Sequence, residues 1–153
     1  MRSMKKCAGA AVAFPMNSVR TAIDANLLIA AWSAQSALFE RALAILEDPD
    51  RTLIVSDALW LEVMPKAIYH AHAEECAFYQ AVFARGEYIT WSSEIVESAK
   101  HHAQSYGLAA MDAIHLAVAL AAGASEFISG EKPGKPMFRV KEISARSLWG
   151  IVP

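Results

Sequence analysis

Four acidic residues lie beside apolar runs, at places where a strand or helix is expected to begin or end. Asp24 follows Thr-Ala-Ile, Glu62 lies within Trp-Leu-Glu-Val, Asp112 precedes Ala-Ile-His-Leu-Ala, and Glu131 follows Phe-Ile-Ser-Gly. Carboxylates beside apolar residues are hard to keep ionised unless other groups compensate them. Gathered at one edge of a sheet, they would supply the oxygen ligands that Mg²⁺ and Mn²⁺ prefer. These residues therefore indicate metal-assisted hydrolysis of a phosphodiester.

The elements that would position these acids follow from hydrophobic periodicity. Strands are predicted at 18–24, 52–56, 87–91 and 126–129, with an edge strand at 138–143. Helices are predicted at 26–32, 34–47, 73–84, 92–106 and 111–122, and another is expected to be capped by Asp57 and to continue through Pro65. This alternation predicts an α/β fold, a three-layer α/β/α sandwich with a central, mostly parallel sheet. Because ligands bind beyond the carboxyl ends of such strands, we expect the four acids to converge there.

The composition fits one domain with a substantial core, since 55% of the 153 residues are hydrophobic and 20% are charged. We expect residues 18–153 to form this domain and residues 1–17 to be a flexible N-terminal extension, which only faintly resembles a signal peptide. Cys7 and Cys76 are far apart and form no metal or disulfide motif, so a cytoplasmic location is expected. No apolar run reaches the ~18 residues that a membrane span needs.

The formal net charge is -2, whereas proteins that hold nucleic acid by nonspecific electrostatics are usually basic. A nucleic-acid substrate would therefore need a local basic patch or metal ions that offset the acids. The notable basic cluster comes directly after Glu131 and comprises Lys132, Lys135, Arg139 and Lys141. We expect this cluster to help position phosphate groups.

Each candidate residue also has a plain structural interpretation. Asp24 could cap a helix, and Asp112 could be a first-turn acid that interacts with the helix dipole. Glu62 could face solvent, and Glu131 could be a loop acid paired with Lys132. Asn26 and Ser129 are predicted to orient carboxylates and water, but they could equally be caps. His115 is interpreted as a packing histidine. The four tryptophans are interpreted as core or interface residues: Trp32, Trp60, Trp91 and Trp149.

Taken in order, these motifs resemble the PIN domain, and in particular VapC-type toxins of toxin–antitoxin operons. The resemblance extends over roughly residues 19–143. Ile-Asp24-Ala-Asn26-Leu-Leu-Ile is similar to the opening strand and first acid of the family. The segment from Ser56 to Glu62 is similar to the helix of the second acid, and Asp112-Ala-Ile-His-Leu-Ala is similar to that of the third.

The fourth motif departs from the family pattern, which has Thr or Ser, a variable residue and then Asp. Here the text is Ser129-Gly130-Glu131, so the fourth ligand is a Glu that reaches one methylene further. The resemblance implies an Mg²⁺- or Mn²⁺-dependent endoribonuclease, often a homodimer, that is inhibited by a cognate antitoxin. It implies that Asp24, Glu62, Asp112 and Glu131 hold the metal, and that a metal-activated water cuts RNA.

Other classes of protein fit the sequence less well. A haloacid-dehalogenase-like phosphatase would need Asp where Asn26 stands, and no Gly-x-x-x-x-Gly-Lys phosphate loop is present. Cleavage of DNA by the same site stays open, because hydrolysis by a metal-bound water does not require a 2′-hydroxyl. The alternative hypothesis is a catalytically impaired PIN-like module that binds RNA or a protein partner, with Glu131 as the defective position.

Overall fold

The computed structural model describes residues 12–151. In this range the strands are β1 (Val19–Ile23), β2 (Arg51–Ser56), β3 (Glu87–Ile89), β4 (Glu126–Ser129) and β5 (Ser144–Ser147). The α-helices are α1 (Ala25–Trp32), α2 (Phe39–Glu47), α3 (Asp57–Tyr69), α4 (Ala73–Arg85), α5 (Ser93–Tyr106) and α6 (Ala110–Ala121). Short 3₁₀ turns span Pro136–Arg139 and Leu148–Gly150.

The strands form one sheet in the order β3-β2-β1-β4-β5, and every pairing in it is parallel. Ala22 of β1 lies beside Ile54 of β2 on one side and Phe127 of β4 on the other. Successive strands run outward from β1 in one direction and then resume on its other side with β4. The junction of β1 and β4 is therefore the switch point, where open α/β sheets form their ligand crevice.

Both faces of the sheet are covered by helices, which explains why its central strands are almost continuously apolar. Ile23, Leu53 and Ile128 point into a core shared with α1, α2, α3 and α4. Ala22 and Phe127 point into a second core built with α5 and α6. These two cores on opposite faces confirm the predicted three-layer α/β/α sandwich.

The predicted edge strand at 138–143 was wrong. Pro136 opens a 3₁₀ turn there, and the apolar residues that alternate in the sequence cover the second core instead of pairing with a strand. Met137, Val140 and Ile143 are buried at a spacing of three residues, which suits a turn. The true edge strand is β5, whose sequence Ser-Ala-Arg-Ser has no hydrophobic strand pattern and which is defined by backbone pairing with β4.

The start of α2 and the cap of α3 also differ from the prediction. Helix α2 begins at Phe39 and not at 34, because the chain turns at Ser36, whose hydroxyl accepts a hydrogen bond from Leu38 N (3.2 Å). The cap of α3 is Ser56, which accepts from Leu59 N (3.2 Å). Asp57 is instead the first helical residue, and α3 continues through Pro65 as predicted.

The predicted extension at 1–17 falls largely on residues 1–11, which lie outside the described residues together with Cys7. Between residues 12 and 151, the helices are all too short or too polar to cross a bilayer.

Candidate functional site

Asp24 lies at the carboxyl end of β1 and is only 4% exposed. It caps α1, with Oδ1 accepting hydrogen bonds from Leu27 N (2.9 Å) and Gly130 N (3.1 Å). Its Oδ2 accepts from Ser129 Oγ (2.5 Å). Burial raises the pKa of Asp24, and the hydrogen bonds from Ser129, Leu27 and Gly130 offset this rise only in part. Asp24 is therefore both a helix cap and a buried acid that is costly to ionise.

Gly130 permits the close approach of the β4 end to the start of α1. A Cβ atom at this position would lie 2.8 Å from the backbone carbon and from Cβ of Asn26, closer than real contacts allow. The backbone N–H of Gly130 can thus reach Asp24 directly. In the sequence Gly130 is only the variable residue between Ser129 and Glu131, and this contact becomes visible only when β1 pairs with β4.

Glu131 follows β4 and is partly exposed beside Asn26. Asn26 Nδ2 donates a hydrogen bond to Glu131 Oε1 at 2.7 Å. The Glu131 backbone is also fixed, because its N–H donates to Ser129 Oγ (3.0 Å) and its carbonyl accepts from Ser147 Oγ (2.5 Å). Asn26 and Ser129 thus contact the acids that they were predicted to orient.

Asp112 lies in the first turn of α6 and completes a group of three carboxylates with Asp24 and Glu131, here called the acid cluster. Burial raises the pKa of Asp112, and the negative charges of Glu131 and Asp24 raise it further. The charges of His115 and Lys135 act in the opposite direction but do not cancel the rise. Asp112 therefore lies within electrostatic reach of both other acids, and its ionised form is repelled by them.

Glu62 on α3 is linked to the acid cluster by its contact with His115. His115 is 4% exposed, lies three residues after Asp112 on α6, and its Nε2 is 2.6 Å from Glu62 Oε2. Its ring also stacks on Phe127 at a centroid distance of 6.5 Å. The packing interpretation of His115 agrees with this burial. The pairing with Glu62 was missed, and the only signal for it in the sequence was the shared helix face with Asp112.

The chemistry of this donor set fits a hard divalent ion, since its ligands are all carboxylate oxygens. In the arrangement described for residues 12–151, however, no three His, Cys, Asp or Glu side chains come close enough to hold one ion. Glu131 is turned to Asn26 and Glu62 to His115, so both side chains would have to rotate to join Asp24 and Asp112. The metal-binding roles of the four acids therefore stay predictions.

The PIN domain family model matches residues 21–132. This match spans most of the chain, and it includes all four predicted acids. The chain belongs to the PIN domain family, as its motifs indicated.

Solved structures share this fold. VapBC2 from Rickettsia felis, bound to a promoter DNA fragment, is 12% identical with a TM-score of 0.62, covering 84% of this chain and 98% of that one. A toxin–antitoxin complex from Klebsiella pneumoniae is 24% identical with a TM-score of 0.64 (86% and 99% covered). VapC20 from Mycobacterium tuberculosis, described as a sarcin-ricin loop cleaving toxin, is 13% identical with a TM-score of 0.62 (81% and 98%). No curated protein matches the chain in sequence.

Proposed function

We propose that the chain is an Mg²⁺- or Mn²⁺-dependent endoribonuclease and the toxin of a toxin–antitoxin pair. The observation that carries this proposal is the acid cluster itself. Three carboxylates from the end of β1, the start of α6 and the end of β4 lie near the switch point of a PIN fold, and the charges of Asp24 and Glu131 disfavour ionised Asp112. Such repulsion is typical of functional sites, and a divalent ion would relieve it.

Asp24 and Asp112 would hold the ion, with Glu131 and Glu62 joining by side-chain rotation. When bound, the ion would lower the pKa of a water and stabilise charge on the phosphoryl oxygens. The protein supplies the placement of the ligands. Ser129 and Gly130 fix the Asp24 carboxylate, while Asn26 and His115 hold Glu131 and Glu62 close by.

Phosphate binding would fall to the basic residues that follow Glu131. The positive charge of Lys135 already acts on Asp112, which places it within electrostatic reach of the acid cluster. A lysine at this position would attract the backbone of a bound RNA and set its register without reading its sequence. Because the net charge is -2, nucleic-acid binding would depend on such local cations or on metal ions that offset the acids.

The proposed partners are a cognate antitoxin and a second copy of the chain. Solved structures with this fold include the VapBC2 complex and the Klebsiella pneumoniae toxin–antitoxin complex. We further propose that the protein is cytoplasmic and encounters its RNA substrate and its antitoxin there.

The test is cleavage of labelled total RNA by purified protein in Mg²⁺, in Mn²⁺ and in EDTA. Asp112→Asn removes one charge of the acid cluster while keeping the size of the side chain. We expect metal-dependent cleavage that falls at least about a hundredfold in Asp112→Asn, more than the loss of a group outside the ligand set usually costs. Glu97→Gln on the exposed face of α5 is the matched control and should cut at the wild-type rate.

Cleavage of equal strength in EDTA, or an Asp112→Asn variant as active as the wild type, would remove the metal nuclease from consideration. Folded, antitoxin-free protein that cuts no RNA in either metal would do the same.

The second candidate function is a PIN-like module that binds RNA or a protein without cutting. The lack of an assembled ligand set among residues 12–151 favours it. Isothermal titration with Mn²⁺ separates the two candidates. Binding that disappears in Asp112→Asn supports the nuclease, whereas RNA binding with no heat from Mn²⁺ supports the module.

A further inference from the structure

A cavity of about 550 Å³ opens directly beside the acid cluster. Asn26 and Glu131 form the wall that it shares with the cluster. Trp149, Lys132 and Lys135 also line it. This volume lies in the range of ~300–1,000 Å³ that is usual for small-ligand sites. We call the cavity the Trp149 pocket.

Trp149 is held in place at several points although its side chain is exposed. Its Nε1 donates to the carbonyl of Gly130 (3.1 Å), so the indole is attached to the same backbone that contacts Asp24. Its backbone N–H donates to Ser147 Oγ (3.2 Å), and its carbonyl accepts from Arg41 (3.3 Å). The residue nevertheless stays 42% exposed. An immobilised, exposed indole loses little entropy when a flat ligand stacks on it.

The charges around the pocket suit a nucleotide. Lys132 Nζ lies 5.7 Å from the centroid of the Trp149 ring. Lys135, the other lysine that lines the pocket, exerts its positive charge on Asp112. The pocket thus combines an aromatic surface with two ammonium groups, the pairing by which proteins hold single-stranded nucleic acid.

We propose that the Trp149 pocket binds one unpaired nucleobase of an RNA strand, which stacks on Trp149 while Lys132 and Lys135 contact its phosphates. This inference rests on the proposed function, because it places the base next to the phosphodiester at the acid cluster. A base inside a duplex is stacked on both faces and cannot enter a concave site, so the pocket selects single-stranded or flipped-out nucleotides. Trp149 lies outside residues 21–132, the range of the family match.

The experiment measures binding without cleavage, in an Asp112→Asn background with Mg²⁺. The probe is a short single-stranded RNA in which one position carries 2-aminopurine, whose fluorescence is quenched by stacking. Trp149→Ala is compared with Trp149→Phe and with the control Trp91→Ala, which removes an indole that is 48% exposed beyond β3. We expect Trp149→Ala to weaken binding by roughly tenfold to a hundredfold and to abolish the quenching. Trp149→Phe should retain most of the affinity, and Trp91→Ala all of it.

A second arm tests whether the base itself is recognised. The same strand with an abasic nucleotide at the probe position should bind the parent protein as weakly as the intact strand binds Trp149→Ala. The two losses should not add, since they remove the two halves of one contact. Additive losses, or an equal effect of Trp149→Ala on fully duplex RNA, would overturn the inference.

The failure of this inference and that of the proposed function give different results. Trp149-independent binding by a protein that cleaves RNA leaves the nuclease standing and overturns the pocket. Trp149-dependent binding by a protein that never cleaves supports the pocket and rejects the nuclease. Circular dichroism of each variant checks that it is folded. If Trp149→Ala is not folded, the abasic strand decides the matter, because equal affinity of the parent protein for the intact and the abasic strand would overturn the inference.

Discussion

At the amino ends of the strands, Glu126 is held by Arg51, Arg146 and Thr21. At the carboxyl ends, Asp112 lies within electrostatic reach of two other acids, Asp24 and Glu131. Thr21 Oγ1 donates to Glu126 Oε1 (2.9 Å), Arg146 donates to Oε2 (3.2 Å), and Arg51 pairs with Oε1. Burial alone would raise the pKa of Glu126, but the hydrogen bonds from Thr21 and Arg51 and the charge of Arg51 lower it. We call Glu126 and its three partners the arginine cluster.

The acid cluster shows the opposite behaviour, since the pKa values of Asp24 and Asp112 are raised. The same sheet thus neutralises a buried acid at one end and accumulates acids at the other. Internal compensation is typical of residues that stabilise a fold, and its absence is typical of residues that meet a ligand. The comparison separates a structural carboxylate from candidate functional ones without reference to any relative.

Breaking the arginine cluster should have the largest effect on stability. Arg51→Ala leaves Glu126 buried with Arg146 as its remaining cation. We expect the free energy of unfolding in urea to fall by about 3 kcal/mol, the low end of the range for a broken buried pair. Lys100→Ala, which removes an exposed partner of Glu97, should cost less than about 1 kcal/mol. Equal losses in the two variants would show that the arginine cluster is not structural.

Removing one hydroxyl group at each end of the sheet should lower RNA cleavage only when the hydroxyl lies at the carboxyl ends of the strands. Ser129→Ala takes away the hydrogen bond to Asp24 Oδ2, and we expect RNA cleavage to fall by roughly 10–100-fold. Ser18→Ala removes a hydroxyl that contacts Thr52 Oγ1 near the amino ends, and cleavage should not change. Single-turnover kinetics on one RNA provide the measurement. Similar rates for both variants would contradict the functional reading of the acid cluster.

Asp112→Asn should stabilise the metal-free protein. The substitution removes a charge that Glu131 and Asp24 repel, so the melting temperature in EDTA should rise by about 2 °C, a shift of somewhat under 1 kcal/mol for a chain of this size. Added Mg²⁺ should raise the melting temperature of the wild type more than that of the variant. A lower melting temperature for Asp112→Asn in EDTA would mean that Asp112 is a stabilising residue.

The smallest expected effect is on the pH dependence of stability, to which Glu126 and Asp112, at opposite ends of the sheet, contribute with opposite sign. The lowered pKa of Glu126 gives stability that is present above its ordinary value near 4.5 and is lost as the pH falls through the folded-state pKa. The raised pKa of Asp112 gives a penalty that is full above its folded-state value and absent below the ordinary 3.8. Melting curves in EDTA from about pH 7 down to about pH 3 test this.

Relative to the wild type, the gain of Asp112→Asn and the loss of Glu126→Gln should both shrink as the pH falls. A gain for Asp112→Asn that persists at acidic pH would have a cause other than charge repulsion.

Site residues could be predicted from the sequence only where neighbouring residues determine their position. Asp24 and Ser129 each end an apolar strand, so their position at the carboxyl edge could be predicted from neighbouring residues alone. The partner of Glu126 could not be predicted in this way, because Arg51 is 75 residues away and belongs to another strand. The pairing of Glu62 with His115, 53 residues apart, was hidden for the same reason.

The limit of prediction from local sequence patterns is clearest in the C-terminal part of the fold. Strand β5 has a polar sequence and forms because the edge of β4 offers backbone partners, so hydrophobic alternation pointed to 138–143 instead. Misplacing this strand also concealed the position of Trp149, which follows β5 and donates a hydrogen bond to the Gly130 carbonyl beside the acid cluster. Tertiary pairing, and not local propensity, decides both positions.

The contacts that fix Asp24 have a consequence for the synthesis of the chain. Ser129 and Gly130 follow Asp24 by 105 and 106 residues, so the donors to its carboxylate are made long after it. At ~5–20 residues per second, a ribosome needs roughly 5–20 s to cover that distance. For this interval the growing chain has its first acid but not the groups that hold it in place. The proposed activity, which depends on a held Asp24 carboxylate, therefore becomes possible only after the C-terminal part of the chain has been made.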